Sequence, residues 1–319
     1  MRILYGVQCT GNGHIIRSSK IIKNLIRVGC DVEIIVSGNN SKLSLPFPIK
    51  KNFKGLTLQY KNNGGVNYFK TLLKSNPFEF IRDINLDLKS YDLVITDFEP
   101  ITAWAAKFAN KPSIGIGNQY SFYSKNTPRV QNIEPISEFV LKWFAPVDKP
   151  IGLHFEKYDD FIKVPIIRDS VYRHIQFNKG HYTVYLSNWY YVNLFNIFKN
   201  IDLKFEIFTN IKRPFRQKNC YFKPIERITF DESLKSSDGV ITSGGFQTCS
   251  ESLFLNKELI VIPNQNQYEQ LCNGESLKRL GVKVGSFYDI GKLIGTEKTQ
   301  IKVDWKDPIE EILYEILNF

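Results

Sequence analysis

The 319-residue chain lacks any apolar run near the roughly 20 residues that a bilayer-crossing helix needs. Its first residues, MRILYG, pass straight into the polar QCTGNGH without the apolar stretch of a cleavable export signal, so a cytoplasmic protein is expected. Cysteine is sparse. Cys9, Cys30, Cys220, Cys249 and Cys272 are odd in number and show no C-x-x-C spacing, which argues against a disulfide framework and against a zinc or dithiol site. Acid is missing locally. No Asp or Glu lies between Glu33 and Glu79, where Lys42, Lys50, Lys51, Lys54, Lys61, Lys70 and Lys74 fall, and residues 211–224 are acid-free with Lys212, Arg213, Arg216, Lys218 and Lys223. With a formal charge of +10, such stretches fit phosphate, anionic lipid headgroups or nucleic acid; a merely solvated lysine face would look the same.

What is present is ordinary globular material. Apolar residues make up 43% and charged residues 23%, which excludes a disordered tail or a coiled coil, and the length suggests two domains. Residues 1–7 (MRILYGV) read as a strand, followed by a glycine-containing loop and a helix over 15–28. Further strands are expected at 31–36, 92–96 and 113–117, with a helix at 101–109. After a proline-rich stretch (121–180), taken as the end of the first domain plus a linker, the rhythm restarts with strands at 182–186, 205–209, 239–242 and 259–263. Residues 309–319 read as an amphipathic helix. Short apolar strands alternating with helices imply α/β architecture: two doubly wound, Rossmann-like domains facing across a cleft. The division expected is 1–170, 171–306 and a terminal helix over 307–319.

Ligands of such sheets bind beyond the carboxyl ends of the strands. The loop after the first strand holds Gly11 and Gly13, which permit close backbone approach, and the helix starting near His14 offers free N–H groups to an oxyanion. A dinucleotide fingerprint would need glycine where Ile16 stands and an acid where Ser37 and Gly38 stand, so a nicotinamide enzyme is disfavoured. His14 is the histidine best placed for cleft chemistry, since His154, His174 and His181 fall in the linker or beside a strand start. Asp97 or Glu99, after another strand, could orient it, or could simply serve the start of the helix that follows. In the second half, Ser243, Gly244 and Gly245 end a strand before a helix whose start, with Thr248, can hold a diphosphate. Glu251, one turn on, can accept ribose hydroxyls. Glu269, Gln270 and Asn273 combine acid and amide groups suited to the vicinal hydroxyls of a sugar.

This combination resembles the GT-B glycosyltransferases, specifically a microbial group opening with a G-x-Q-G-T-G-N-G-H-x-x-R-like signature. That group is distantly related to the UDP-glycosyltransferases and to the enzyme that makes lipid II. Gly11, Gly13, His14 and Arg17 match the opening signature, 243–251 is similar to the donor-site segment, and Glu269-Gln270 with Asn273 is similar to D/E-Q-x-x-N. Cys9 departs from the usual glycine, and Ser243 from the histidine of many plant relatives. The resemblance implies transfer of a sugar from a nucleotide diphosphate, UDP-sugar being the expected donor, to an acceptor hydroxyl. Inversion is implied, with His14 as base assisted by Asp97 or Glu99, and no obligatory metal or other cofactor. It also implies that the amino-terminal domain receives the acceptor. Leu43, Leu45, Phe47, Ile49, Phe53 and Leu56 interleave the lysines there, which favours a peripheral membrane surface with a lipid-linked acceptor over DNA bearing hydroxylated bases. A nucleotide-sugar epimerase and a non-catalytic nucleotide-sugar sensor remain as alternatives.

Overall fold

The computed structural model describes residues 1–9, 11–38, 45–54, 77–172, 178–186 and 189–319. Thr10 of the opening signature, His174, and Lys42, Leu43, Leu56, Lys61, Lys70 and Lys74 of the lysine-rich stretch lie outside them. The first half contains β1 (Arg2–Gln8), α1 (Asn12–Arg27), β2 (Asp31–Ser37), β3 (Lys51–Phe53), α2 (Pro77–Ile84), β4 (Leu93–Asp97) and α3 (Pro100–Phe108). It continues through β5 (Ser113–Gly117), the short α4 (Asn118–Ser121), α5 (Pro135–Trp143), β6 (Lys149–Leu153), β7 (Ile162–Lys163) and the short α6 (Asp169–Tyr172). These strands form one parallel sheet in the order β3-β2-β1-β4-β5-β6-β7.

The second half holds β8 (His181–Tyr185), α7 (Tyr191–Phe198), β9 (Lys204–Thr209), β10 (Phe215–Gln217), β11 (Cys220–Pro224), α8 (Arg227–Ser236) and β12 (Gly239–Thr242). Then come α9 (Phe246–Phe254), β13 (Glu258–Val261), α10 (Tyr268–Arg279), β14 (Lys283–Val284), α11 (Ile290–Gly295) and α12 (Ile309–Leu317). Its sheet runs β10-β11-β9-β8-β12-β13-β14, parallel except for the β10–β11 hairpin. Central strands such as β4 (LVITD) and β12 (GVIT) are buried along their whole length because helices cover both faces.

The stretch 121–180 is expected to end the first domain before a linker. It supplies β6 and β7, which extend the first sheet beyond β5, with Gly115 paired to Pro150. Proline near a strand's start hides it from a reading by alternation and β-propensity. The helix α12 returns to the first half: Ile309, Ile312, Leu313 and Ile316 share the core cluster that contains Ile15, Ile21 and Leu25 of α1. Burial of each such side chain is worth about 1.5–3 kcal/mol. Lys149–Glu315 (3.2 Å) and Lys163–Glu311 (2.7 Å) fix the helix register.

Candidate active site

A cavity of about 650 Å³ lies between the carboxyl ends of β1 and β4 on one side and of β12 on the other. Two helix starts enter it. Neither α1, capped by Gly11, nor α9, capped by Gly245, has a side-chain cap or an acid in its first turn. A Cβ on Gly13 would lie 3.6 Å from Gln247 Cβ, so the two starts face each other across the cleft. Two helix starts without a side-chain cap, with their positive dipole ends, therefore meet one space, which suits an anion.

On the first-half wall, His14 Nδ1 is 2.8 Å from Asp97 Oδ1. Asp97 is wholly buried and also accepts from Arg17 Nε (3.0 Å), from Arg17 Nη2 and from the Ser18 hydroxyl (2.8 Å). Burial opposes its charge, but Arg17 and His14 prevail and hold the carboxyl below its ordinary value. A carboxylate only accepts, so in this pair the His14 Nδ1 carries the hydrogen and donates it, while Arg17 Nη2, 3.1 Å from Nδ1, donates to Asp97.

The turn after β4 makes this possible. Phe98 takes φ 52°, rare for a bulky residue, and so sends Asp97 toward His14 and Glu99 the other way. Glu99 caps α3, accepting from the backbone N–H of Ile101 (2.8 Å) and Thr102 (2.7 Å) and from the Ser37 hydroxyl (2.7 Å). A Cβ on Gly6 would fall 2.8 Å from Glu99 Oε2, so glycine is needed in β1 for the cap to fit. Burial raises the Glu99 carboxyl despite these bonds. Neither acid lines the cavity: both are fully buried, Asp97 touching His14 and Glu99 serving the start of α3.

On the second-half wall, Gly245, Thr248, Glu251 and Glu269 line the cavity. Glu251 accepts from Arg168 Nε (2.6 Å), from Arg168 Nη2 and from Gln247 Nε2 (2.8 Å), while Arg168 Nη1 reaches both oxygens of Asp231 (2.6 Å). Three of about four lone-pair directions of Glu251 are thus taken, and accepting two hydroxyls requires one donor to move. Glu269 receives Gln119 Nε2 (3.1 Å) from across the cleft, and burial pushes its carboxyl up while His14, Gln119 and Arg17 pull it down.

Other expected residues stand behind this wall. Asn273 is buried and donates to the Gly244 carbonyl (3.0 Å), and the Gln270 side chain accepts from the Asn264 backbone N–H (3.2 Å). Gly244 itself packs on the Gln270 carbonyl, 2.6 Å from where a Cβ would sit. Gly244, Gln270 and Asn273 therefore support one another in the loop beside the cavity, and neither they nor Ser243 are among the residues that line it.

Residues not singled out from sequence also line the wall: Gln119, Asp231 and Arg168, the last from the segment taken as the end of the first domain plus a linker. His154 lies buried among Phe122, Phe155, Tyr158 and Phe246, and burial, aided by Arg129, pushes its pKa down to about 3. The described part of the lysine-rich stretch turns Leu45 and Phe53 inward, and Lys50 donates to the Tyr91 hydroxyl (2.7 Å) and to Glu33. Leu45, Phe53 and the partly buried Phe47 serve the core, whereas Ile49 is exposed. All five cysteines are unpaired. Among the described residues no helix is long and apolar enough to cross a membrane.

The model of the family described as glycosyl transferase family 1 matches residues 1–294. No curated protein sequence matches the chain. Solved structures of similar fold include Arabidopsis thaliana UGT89C1 complexed with UDP, at 11% identity and TM-score 0.59 over 99% of this chain and 94% of that one. Phytolacca americana UGT2, complexed with UDP-2fluoro-glucose and pterostilbene, is similar at 13% and 0.58 over 99% and 90%. The Streptomyces sp. SF2575 glycosyltransferase SsfS6 is similar at 15% and 0.56 over 92% and 90%. The matched span contains both sheets and both walls of the cleft. The chain belongs to glycosyl transferase family 1 and is a glycosyltransferase of the GT-B fold.

Proposed function

We propose that the protein transfers a sugar from a UDP-sugar to an acceptor hydroxyl with inversion, residues 171–306 holding the donor and residues 1–170 the acceptor. The observation carrying this reading is the His14–Asp97 pair, which faces the open start of α9 across one cavity. In the proposed step, His14 Nε2 takes the acceptor hydroxyl proton as that oxygen bonds to the anomeric carbon. The bond from that carbon to the diphosphate breaks, and UDP leaves with its electron pair. Asp97 stabilises the imidazolium, and the N–H groups starting α9, with Thr248, meet the charge growing on the diphosphate. Glu251 takes ribose hydroxyls, and Glu269 takes hydroxyls of the transferred sugar. Support for the nucleotide comes from UDP and UDP-2fluoro-glucose in the two plant structures, while SsfS6 has also been solved with thymidine diphosphate.

A thermal-shift screen of UDP-, TDP-, GDP- and CMP-sugars tests the donor. A ligand at 100 times its dissociation constant stabilises by about 2.7 kcal/mol, and UDP-sugars are expected to give the largest shift. Stabilisation by a different nucleotide would reassign the base, and stabilisation by none would refute the donor site.

A further inference from the structure

Helix α5 is apolar on two stripes. Ser137 and Leu141 are buried, and Val140 and Phe144 turn toward the cavity, whereas Ile136, Phe139 and Trp143, spaced i, i+3, i+7, stand outward. Ile136 is 63% exposed, Phe139 64%, and Ile133 just before the helix 57%. A globular protein keeps such a stripe against a partner.

The stripe continues onto the end of α3. Lys107 Nζ lies 5.6 Å from the Trp143 ring centre, Phe139 lies tilted beside Trp143 (6.5 Å between ring centres), and Phe108, 68% exposed, packs against Trp104 (5.5 Å). Lys142 Nζ also lies near the Trp143 ring, 5.9 Å from its centre. The nearby acids are turned to other partners: Glu138 accepts from Arg129 (3.1 Å) and Tyr268 (2.6 Å), and Glu134 from the Ser137 hydroxyl (2.8 Å).

We infer that this surface docks on an anionic bilayer and that the acceptor is an amphiphile presented from it. The inference rests on the proposal that residues 1–170 receive the acceptor. Exposed Trp and Phe flanked by Lys107 and Lys142, whose ammonium groups lie near the Trp143 ring, match an element lying at a lipid–water boundary. The same helix borders both the outward stripe and the apolar end of the cavity, where Val140, Leu141, Phe144 and Phe98 meet. An acyl or prenyl chain leaving the bilayer along α5 therefore brings its polar head toward His14. DNA would gain nothing from the apolar stripe, and a second copy of this chain would set Lys107 and Lys142 against their own kind.

The test is co-sedimentation at about 0.15 M salt with phosphatidylcholine vesicles containing about 30% phosphatidylglycerol, with UDP titration of every preparation. The wild type is expected to sediment, and F139S/W143S to lower its vesicle affinity about tenfold or more with UDP affinity unchanged. K107E/K142E should weaken binding to these vesicles more than to pure phosphatidylcholine. A wild type that stays in the supernatant, or F139S/W143S sedimenting like it, overturns the inference. A dimer dissolved by F139S/W143S would assign the face to a second copy, and a duplex-DNA shift abolished by K107E/K142E would assign it to nucleic acid. Vesicle binding without UDP binding would instead count against the proposed function alone.

Discussion

Replacing Glu251 by Gln tests the donor site with little disturbance to its surroundings. Glu251 is buried, and its two oxygens are met by Arg168 and Gln247, with Arg168 Nε at 2.6 Å. The Gln variant keeps one oxygen for Arg168 and leaves Asp231 paired, so the fold should survive. Alanine would leave half the guanidinium without a partner, a change costing about 3–5 kcal/mol. Losing a charge-assisted bond to the ribose removes about 1.5–3 kcal/mol, or roughly a 10- to 150-fold weaker dissociation constant for UDP. Calorimetric titration with UDP and with 2′,3′-dideoxy-UDP separates this from indirect effects. The wild type should discriminate strongly between the two ligands, and Glu251→Gln should discriminate little. A variant that binds UDP like the wild type, or loses equally for both ligands, would refute the assignment.

Asp97→Asn should lower turnover by about 100-fold or more while UDP binding persists, because the amide can leave His14 in the wrong tautomer; steady-state kinetics beside UDP titration reads this. Arg168→Ala should reduce stability by about 3–5 kcal/mol, seen as a lower denaturant midpoint, since it strands Glu251 and Asp231. His154 binds a proton in the unfolded chain below about pH 6.5 but in the fold only near pH 3, so stability falls as pH drops between these values. The loss attributable to His154 at pH 5 is about 2 kcal/mol, and His154→Phe should shrink the difference in denaturant midpoint between pH 7.5 and pH 5 accordingly. The depressed Asp97 carboxyl contributes with the same sign at lower pH: its stabilisation is present above the ordinary carboxyl range and is lost as pH falls through the folded value.

The alternation of short apolar strands with helices was enough to read the two doubly wound sheets, because buried parallel strands are near-continuous apolar runs. Edge and hairpin strands such as β10 (Phe215–Gln217), and β6 with Pro150, carry no such run and escaped it. At the site, glycine-bearing strand ends marked where the cavity lies, and His14 and Thr248 line it. Periodicity could not separate Glu269, in the wall, from Gln270 and Asn273 beneath it, because helix phase at a cleft edge is set by packing. Nor could it show that Phe98 at positive φ turns Asp97 and Glu99 apart. Arg168 comes from a segment without periodic pattern, and its role depends on Glu251 and Asp231, far away in the chain.

The central claim is that His14 removes the acceptor proton while the nucleotide is held on the opposite wall. The direct measurement is turnover of UDP-sugar and the UDP dissociation constant on the same preparations of wild type and His14→Ala. Turnover should fall by about 100- to 10,000-fold with the dissociation constant nearly unchanged. Full turnover in the variant, or a loss of UDP affinity matching the loss of turnover, would contradict the account.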